Sequence, residues 1–284
     1  MEIILDKKSI LAKGRVYIKK FKGKIFVIKY GGSNLDDEHI SNSILEGIVY
    51  LHQQGIKVVI IHGGANIITR LMQQKGKTPE FIEGFRVTDE ETANIVGEAL
   101  TGINADIVDK LTRLGTEAVS IISKEHGVIR AKRRENSLEG DFAGDVDSIN
   151  TKPIEDSLKK EIIPVISPVG IGQDDKPYNI NADFAGAEIA IALRAEKLIL
   201  LTNVKGIMRD HINEKSLMPT LTEKEIEEMI KAGSISSGMI PKARACIKAL
   251  FGGVGKVHII SGRIKHSLLI EVLTDEGIGT EIIL

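Results

Sequence analysis

The sequence has no tryptophan, and aromatic residues make up only 4% of its 284 positions. Platforms for base stacking are therefore scarce, which weighs against a single-stranded nucleic-acid binder. Neither sign of charge is in excess: 38 Lys and Arg stand against 39 Asp and Glu, for a net charge of −1. There is no electrostatic footprint for nucleic acid or an anionic membrane, so a small-molecule partner is expected. The single cysteine, Cys246, cannot close an internal disulfide and fits a reducing, cytoplasmic setting. Its neighbours, KARACIKAL, read as a helix in which the thiol is a small buried hydrophobe. No apolar run reaches the roughly 18 residues of a membrane span. The first 25 residues are basic and amphipathic and show no secretory cleavage site.

Chemical signatures are missing too. No GxGxxG follows the first strand, no GxxxxGK[ST] loop is present, and there is no GxSxG elbow. The histidines are scattered, without HExxH or CxxC spacing, so no protein-held metal is expected. What remains is an ordinary soluble composition, 42% apolar and 27% charged, long enough for one large α/β domain or two lobes.

The chain is organised around Lys24–Ser33, KIFVIKYGGS. Ile25 to Lys29 reads as a buried strand, followed by Gly31-Gly32 and a helix with Asp36 and Asp37 near its start. Such a turn lets backbone N–H groups approach an anion, and the helix N-terminus adds a positive dipole end. Lys29 leaves the strand where it can project into that space. The device recurs at Lys57–Ile61, which runs into His62-Gly63-Gly64-Ala65 and another helix. A crossover helix separates the copies, so the strands are expected to be parallel neighbours whose turns share one sheet edge.

Further along, Thr88-Asp-Glu-Glu91 reads as a capping box, and Arg86 just before it can hold a carboxylate bidentately. Ser123–Gly144 has the irregular, charged look of hairpins. Gln173–Lys176 is the candidate lobe boundary. Asn179, Asn181 and Asp183 alternate, as in an extended piece that points them one way, beside the apolar helix Phe184–Leu193. Lys197–Thr202 is a strand with Asn203–Gly206 as its turn, and Lys242 follows Pro241 on the first turn of a helix. Lys7–Lys20 has an amphipathic pattern interrupted by Gly14, fitting either a docking contact or a loosely packed arm. Strands and helices alternate through most of the chain, which gives an α/β class with a largely parallel sheet.

VIKYGGS, HGG, GFRVTD, YNINAD, LLTNVKG, SGMIPK and HSLLIEVLTDEGIGT, in that order and over nearly the whole chain, resemble the amino-acid kinase family. GFRVTD resembles the form of the motif in the branch of that family that acts on N-acetyl-L-glutamate. The resemblance implies an αβα sandwich with an open, mainly parallel central sheet. It divides the chain into an arm (1–22), an amino-terminal lobe for the acyl amino acid (23–172) and a carboxyl-terminal lobe for ATP (173–284). It implies ATP-dependent phosphorylation of the side-chain carboxylate of N-acetyl-L-glutamate, a step of arginine biosynthesis. The neighbouring possibilities are a carrier-protein-bound aminoadipate or glutamate, and a non-catalytic sensor. By the same resemblance Lys29 and Lys242 stabilise the transferring phosphoryl group and Asp183 orients them. Gly64, Ala65, Arg86 and Asn179 bind the acid; Gly31 and Gly32 cradle phosphate; Thr202, Asn203 and Gly206 line the nucleotide. Mg²⁺ would be held mainly by the phosphates. The chain departs from the family pattern at Ala65, where a glycine is usual, and at Asn203, where an aspartate is usual. A homodimer, a hexamer linked by the arm, and feedback by arginine near Glu271 and Gly277 complete the expectation.

Overall fold

The computed structural model describes residues 7–284 apart from 32, 33, 35, 83, 136, 138, 139, 211, 212, 237 and 276. Gly32, one of the two expected phosphate-cradling glycines, lies outside the described residues.

Eight strands form the central sheet, in the order Thr220–Thr222, Thr280–Ile283, Lys256–Ser261, Lys197–Thr202, Ile25–Tyr30, Lys57–His62, Ile163–Ile166 and Ala118–Ile121. All neighbours are parallel except Lys256–Ser261 with Thr280–Ile283. The two strands expected to be neighbours pair in register from Ile25↔Lys57 to Tyr30↔His62. Side chains alternate across a strand, so each strand feeds two cores. Val27, Val59, Ile61, Leu198 and Leu200 face one core, beneath helices Ala182–Ala192 and Ile240–Phe251. Phe26, Ile28, Val58, Ile60, Ile199 and Leu201 face the other, beneath Glu38–Gln53, Glu90–Arg113 and Ser267–Leu273. The result is an αβα sandwich, as the sequence leads one to expect. Each of these fully buried aliphatic side chains contributes about 1.5–3 kcal/mol relative to exposure.

The Ser123–Gly144 region yields the expected hairpin, with Ile129–Arg133 antiparallel to Ala143–Ile149. With Val169–Ile171 and Pro177–Ile180 these strands close a small four-stranded barrel. Gln173–Lys176 is the turn between its last two strands, which pair antiparallel. A separate two-stranded hairpin, Phe81–Ile82 with Phe85–Arg86, belongs to neither sheet.

Two local readings differ, and for the arm the structure chooses the docking contact over the loose alternative. The helix Glu90–Arg113 runs unbroken and is capped by Asp89, whose carboxylate accepts from Thr92 N–H; Thr88 is not its cap. Asn179 lies in a strand whereas Asp183 is already in a helix, so these residues do not share one extended piece. The arm is not loose. It forms helices Lys7–Lys13 and Arg15–Phe21, with Ile10 and Phe21 buried in the second core. Gly14 sits at their junction because the backbone there meets helix Ser267–Leu273. A Cβ at this position would come within 2.9 Å of the Leu273 Cβ.

Candidate active site

Lys29 lies on the face of its strand that carries Val27, and so points toward helix Ala182–Ala192. That helix is apolar because it is buried against the sheet, and it sits close because residue 186 is glycine: a Cβ there would lie 3.1 Å from Ile61. Asn181 caps the helix by accepting from the N–H groups of Asp183 and Phe184. The close seat and the cap together set Asp183 in the first turn, over the end of the Lys29 strand. Lys29 Nζ stands 2.9 Å from Asp183 Oδ1. From the other side Lys242, in the first turn of Ile240–Phe251 behind Pro241, donates to Asp183 Oδ2 at 2.7 Å. One buried carboxylate thus holds two ammonium groups, one from each half of the chain.

Burial disfavours the charge on Asp183, but Lys242 and Lys29 outweigh it and hold the carboxyl well below the usual carboxylate range. Burial lowers the pKa of Lys29, and the like charge of Lys242 adds to this; the pull of Asp183 only partly compensates. Lys242 is raised, chiefly by Asp183. Two cations share one anion, and the unneutralised positive potential faces a cleft of about 220 Å³.

The same cleft is lined by Gly64, Ala65, Arg86 and Asn179, so seven of the site residues expected from sequence meet in one place. Gly64 and Ala65 begin helix Ala65–Gln74, whose N-terminus no side chain caps. Its leading N–H groups are therefore available to an anion. Arg86 is buried, not solvated. Its guanidinium donates to the Ala65 carbonyl at 3.1 Å and Thr69 Oγ1 at 2.9 Å, contacts Met72 Sδ, and lies over the Phe81 ring. Among the described residues no carboxylate pairs with it, and burial lowers its pKa. Asn179 donates from Nδ2 to Thr88 Oγ1 at 3.2 Å. Phe85 and Phe81 of the hairpin also line the cleft, and sequence reasoning singled out neither. His62, buried and held at about 4 by desolvation, faces Asn104 rather than the cleft.

Gly31, Thr202, Asn203 and Gly206 do not line this cleft. Gly31 follows the Lys29 strand itself, and Thr202, Asn203 and Gly206 end the neighbouring strand Lys197–Thr202, at the same carboxyl edge of the sheet. Gly31 packs against the Leu201 carbonyl, and Thr202 Oγ1 donates to the Val204 carbonyl at 2.8 Å, closing the turn. Gly206 packs on Thr280. Among the described residues no group of three or more His, Cys, Asp or Glu is placed to hold a metal ion, and no helix is long and apolar enough to cross a membrane.

A parallel sheet with a two-lysine, one-carboxylate centre at its carboxyl edge is the architecture of a phosphoryl-transfer enzyme without a P-loop. The family model described as "Amino acid kinase family" matches residues 24–261, and the chain belongs to that family. It is 44% identical to the acetylglutamate kinase of Methanocaldococcus jannaschii over 290 residues, covering 98% of this chain and 97% of that protein. It is 46% identical to the acetylglutamate kinase of Methanococcus aeolicus, covering 97% of each. Among solved structures it resembles the N-acetylglutamate synthase of Neisseria gonorrhoeae complexed with coenzyme A and N-acetyl-glutamate. That match has a TM-score of 0.86 and 28% identity, and covers 99% of this chain but only 64% of the synthase chain. A second structure of that synthase, with coenzyme A and L-arginine, matches with a TM-score of 0.84 and 26% identity, covering 98% of this chain and 65% of the synthase chain.

Proposed function

We propose that this kinase transfers the γ-phosphoryl group of ATP to the side-chain carboxylate of N-acetyl-L-glutamate, giving N-acetyl-L-glutamyl 5-phosphate, the second step of arginine biosynthesis. The observation that carries the reading is the single cleft in which Lys29, Asp183 and Lys242 stand beside Gly64, Ala65, Arg86 and Asn179. A side-chain carboxylate, with a pKa of about 4.3, is already ionised at neutral pH. No general base is needed; among the described residues no histidine lines the cleft, and His62 faces Asn104 instead. The carboxylate oxygen forms a bond to the γ-phosphorus as the bond to the ADP oxygen breaks, so no proton is transferred. The barrier lies in bringing anions together and stabilising charge in a loose transition state. Lys29 and Lys242 supply preorganised positive charge from opposite sides, and Asp183 fixes both without protonating. Arg86 and Asn179 hold the α-carboxylate end of the acid, and the uncapped helix at Gly64-Ala65 receives the reacting end.

ATP would lie against the carboxyl-terminal lobe (173–284) at Thr202, Asn203 and Gly206, with Gly31 and its sequence neighbour Gly32 contributed by the amino-terminal lobe (23–172); that lobe would hold the acid, helped by Asn179 from across the boundary. Asp183, the one carboxylate among the described residues lining the cleft, has both oxygens engaged by lysines. That donor set fits Mg²⁺ carried in on the nucleotide phosphates, where it would neutralise part of their charge. The wholly buried thiol of Cys246, its pKa raised by burial, suits a cytoplasmic setting.

Regulation and assembly belong to the same reading. Glu271 accepts from His258 Nδ1 at 2.7 Å and from Ile278 N–H at 2.8 Å, next to Gly277, while the arm lies against the same helix. Tyr17 of the arm donates to Asp275. An arginine held near Glu271 and Gly277 would touch the arm, and the arm would link homodimers into a hexamer. Differential affinity for open and closed lobes would then give inhibition.

The test of the reaction is trapping of the acyl phosphate with hydroxylamine. N-acetyl-L-glutamate with ATP should give hydroxamate and ADP. Hydroxamate from a different acid only would overturn the acceptor, and none from any of N-acetylglutamate, glutamate, aspartate or carbamate would favour a sensor.

A further inference from the structure

The hairpin Phe81–Arg86, which carries Arg86 into the cleft, is paired to no larger sheet. Two strands alone are marginal in water, so something else must fix their place. Thr88, two residues after Arg86, is fully buried. Its N–H donates to Asp141 Oδ1 at 2.9 Å and its carbonyl accepts from Phe142 N–H at 2.6 Å. Its hydroxyl donates to the Arg86 carbonyl at 2.9 Å and accepts from Asn179 Nδ2 at 3.2 Å. Every polar group of this residue is therefore engaged, and by three different segments.

Asp141 completes the ring. The same Oδ1 also accepts from Ala143 N–H at 2.9 Å, and Ala143 is the register partner of Asn179 in the barrel. The Phe142 carbonyl accepts from Asn179 N–H at 2.8 Å. Residues 86–88, 141–143 and 179 are thus one closed hydrogen-bonded circuit, and Arg86, Ala143 and Asn179 are the members that line the cleft. A helix cap would use one of these bonds; Thr88 is no cap, and the cap of the following helix is Asp89.

We propose that Thr88 and Asp141 are positioning residues for the acyl amino acid. They lock the hairpin bearing Arg86 to the barrel strand bearing Asn179, and so set the spacing of the two side chains that receive the acid's α-carboxylate end. The proposal rests on the acceptor reading above. Neither residue lines the cleft near Lys29, Asp183 or Lys242, so their contribution falls on binding the acid and not on phosphoryl transfer or ATP.

The experiment is steady-state kinetics on the full chain with Thr88→Val, Thr88→Ser, Asp141→Ala and Asp141→Asn, with thermal unfolding measured in parallel. Valine keeps the shape of threonine and deletes the hydroxyl. Thr88→Val should raise KM for N-acetyl-L-glutamate roughly fivefold to tenfold, the size of one neutral hydrogen bond. Its kcat and KM for ATP should stay within about twofold, and Thr88→Ser should restore KM. Asp141→Ala should show the same split, and Asp141→Asn, which keeps an oxygen acceptor, should recover most of it. Should Thr88→Val fail to fold, the Asp141 pair reads the same split. An unchanged KM for the acid in a folded variant would overturn the proposal. So would parallel losses in kcat and both KM values with a lowered Tm, the pattern of a merely structural role. The wild type is first assayed with N-acetyl-L-glutamate, glutamate and aspartate, and the KM followed is that of the acid it accepts. A wrong acceptor and an idle Thr88 therefore give different results.

Discussion

Two trios of ionisable side chains, each centred on a buried group, sit on opposite faces of the same sheet. Lys29, Asp183 and Lys242 lie at the carboxyl edge on one face; Lys197, His258 and Glu271 lie on the other, where Lys197 stands over the Phe21 ring of the arm. Since Phe26 pairs with Lys197 and Lys29 with Leu200, the centres are offset by three residues, about 10 Å along the strands. The order of charges differs. In the first trio the carboxylate is in the middle and the two ends are lysines, so positive potential is left over and opens into a cleft. In the second an imidazole is in the middle, 3.0 Å from Lys197 and 2.7 Å from Glu271, with one cation and one anion at its ends. The first arrangement is unfinished without an anion. The second nearly satisfies itself and can accept a ligand only by exchanging partners. The lesson is that burial alone does not tell an open charged centre from a self-satisfied one; the placing of the shared partner, and the charge it leaves over, does.

The largest effects should come from breaking the first trio. Lys242→Ala and Lys29→Ala should each lower kcat by about 10²–10³-fold, roughly 2.7–4 kcal/mol, with smaller changes in KM for the acid. Near-wild-type kcat in either variant would remove that lysine from the chemistry. Asp183→Asn should also cost folding stability of about 3 kcal/mol, because it strands the buried Lys29 ammonium and the half-buried Lys242 ammonium beside a neutral amide. Chemical denaturation checks this.

The second trio should respond differently to the equivalent insult. Burial alone would raise the Glu271 carboxyl, but His258, the Ile278 N–H and Lys197 hold it below its ordinary value. Glu271→Gln should cost about 2 kcal/mol, the range of a lost charge-assisted hydrogen bond, while kcat without arginine stays within a few fold. A fall in kcat comparable to that of Lys242→Ala would erase the distinction between the trios.

Much of the first trio was legible in the sequence because its residues sit where patterns change. Lys29 ends an apolar strand before two glycines, Asp183 opens a helix behind an Asn cap, and Lys242 follows a Pro at a helix start. The strands were legible for the same reason: continuous apolar runs such as Lys197–Thr202 are buried on both faces. The misreadings have physical causes. TDEE after Arg86 fits a capping box, but Asp89 lies one residue closer to the helix and takes the cap, which frees Thr88 for the circuit with Asp141. Nothing local marks Asp141, whose partners lie 53 residues back and two ahead. Gly14 looked like a weakness in the arm, and is instead the contact that docks it, a tertiary fact no periodicity reports. His258 was passed over because it stands alone inside an apolar strand, and Lys197 because it opens one beside Glu196, where a charge reads as a solvated strand end.

A milder change tests the acid side of the first trio's cleft. The Arg86 fork reaches Ala65 and Thr69 while it lies over Phe81, and a lysine cannot copy that plane. Arg86→Lys should raise KM for the acid about tenfold, near 1.4 kcal/mol, and leave KM for ATP alone. The reverse pattern would place Arg86 on the nucleotide side.

The smallest effect separates the trios by pH. Burial and the nearby charge of Lys256 bring Lys197 down to about 8, against the pull of Glu281, Glu271 and Glu196. At pH 7 about nine-tenths of Lys197 is charged, and at pH 9 about one-tenth. If Lys197 and Glu271 hold the two ends of an arginine zwitterion, the response of activity to arginine should weaken between these values. The change would not come from Lys197 loosening the fold. Between about 8 and the ordinary 10.5 the unfolded chain keeps the proton that folded Lys197 has lost, so this group makes stability rise with pH, not fall. Arginine's own α-amino group also titrates near this range, and Lys197→Arg provides the control: its charge persists, so whatever pH dependence remains belongs to the ligand. The titration is run on the full chain and on a version starting at Lys22, with light scattering on both. Loss of the response together with a fall in mass in the shorter version would tie the arm to both. Equal mass and an equal, pH-independent response would leave the second trio as structure alone.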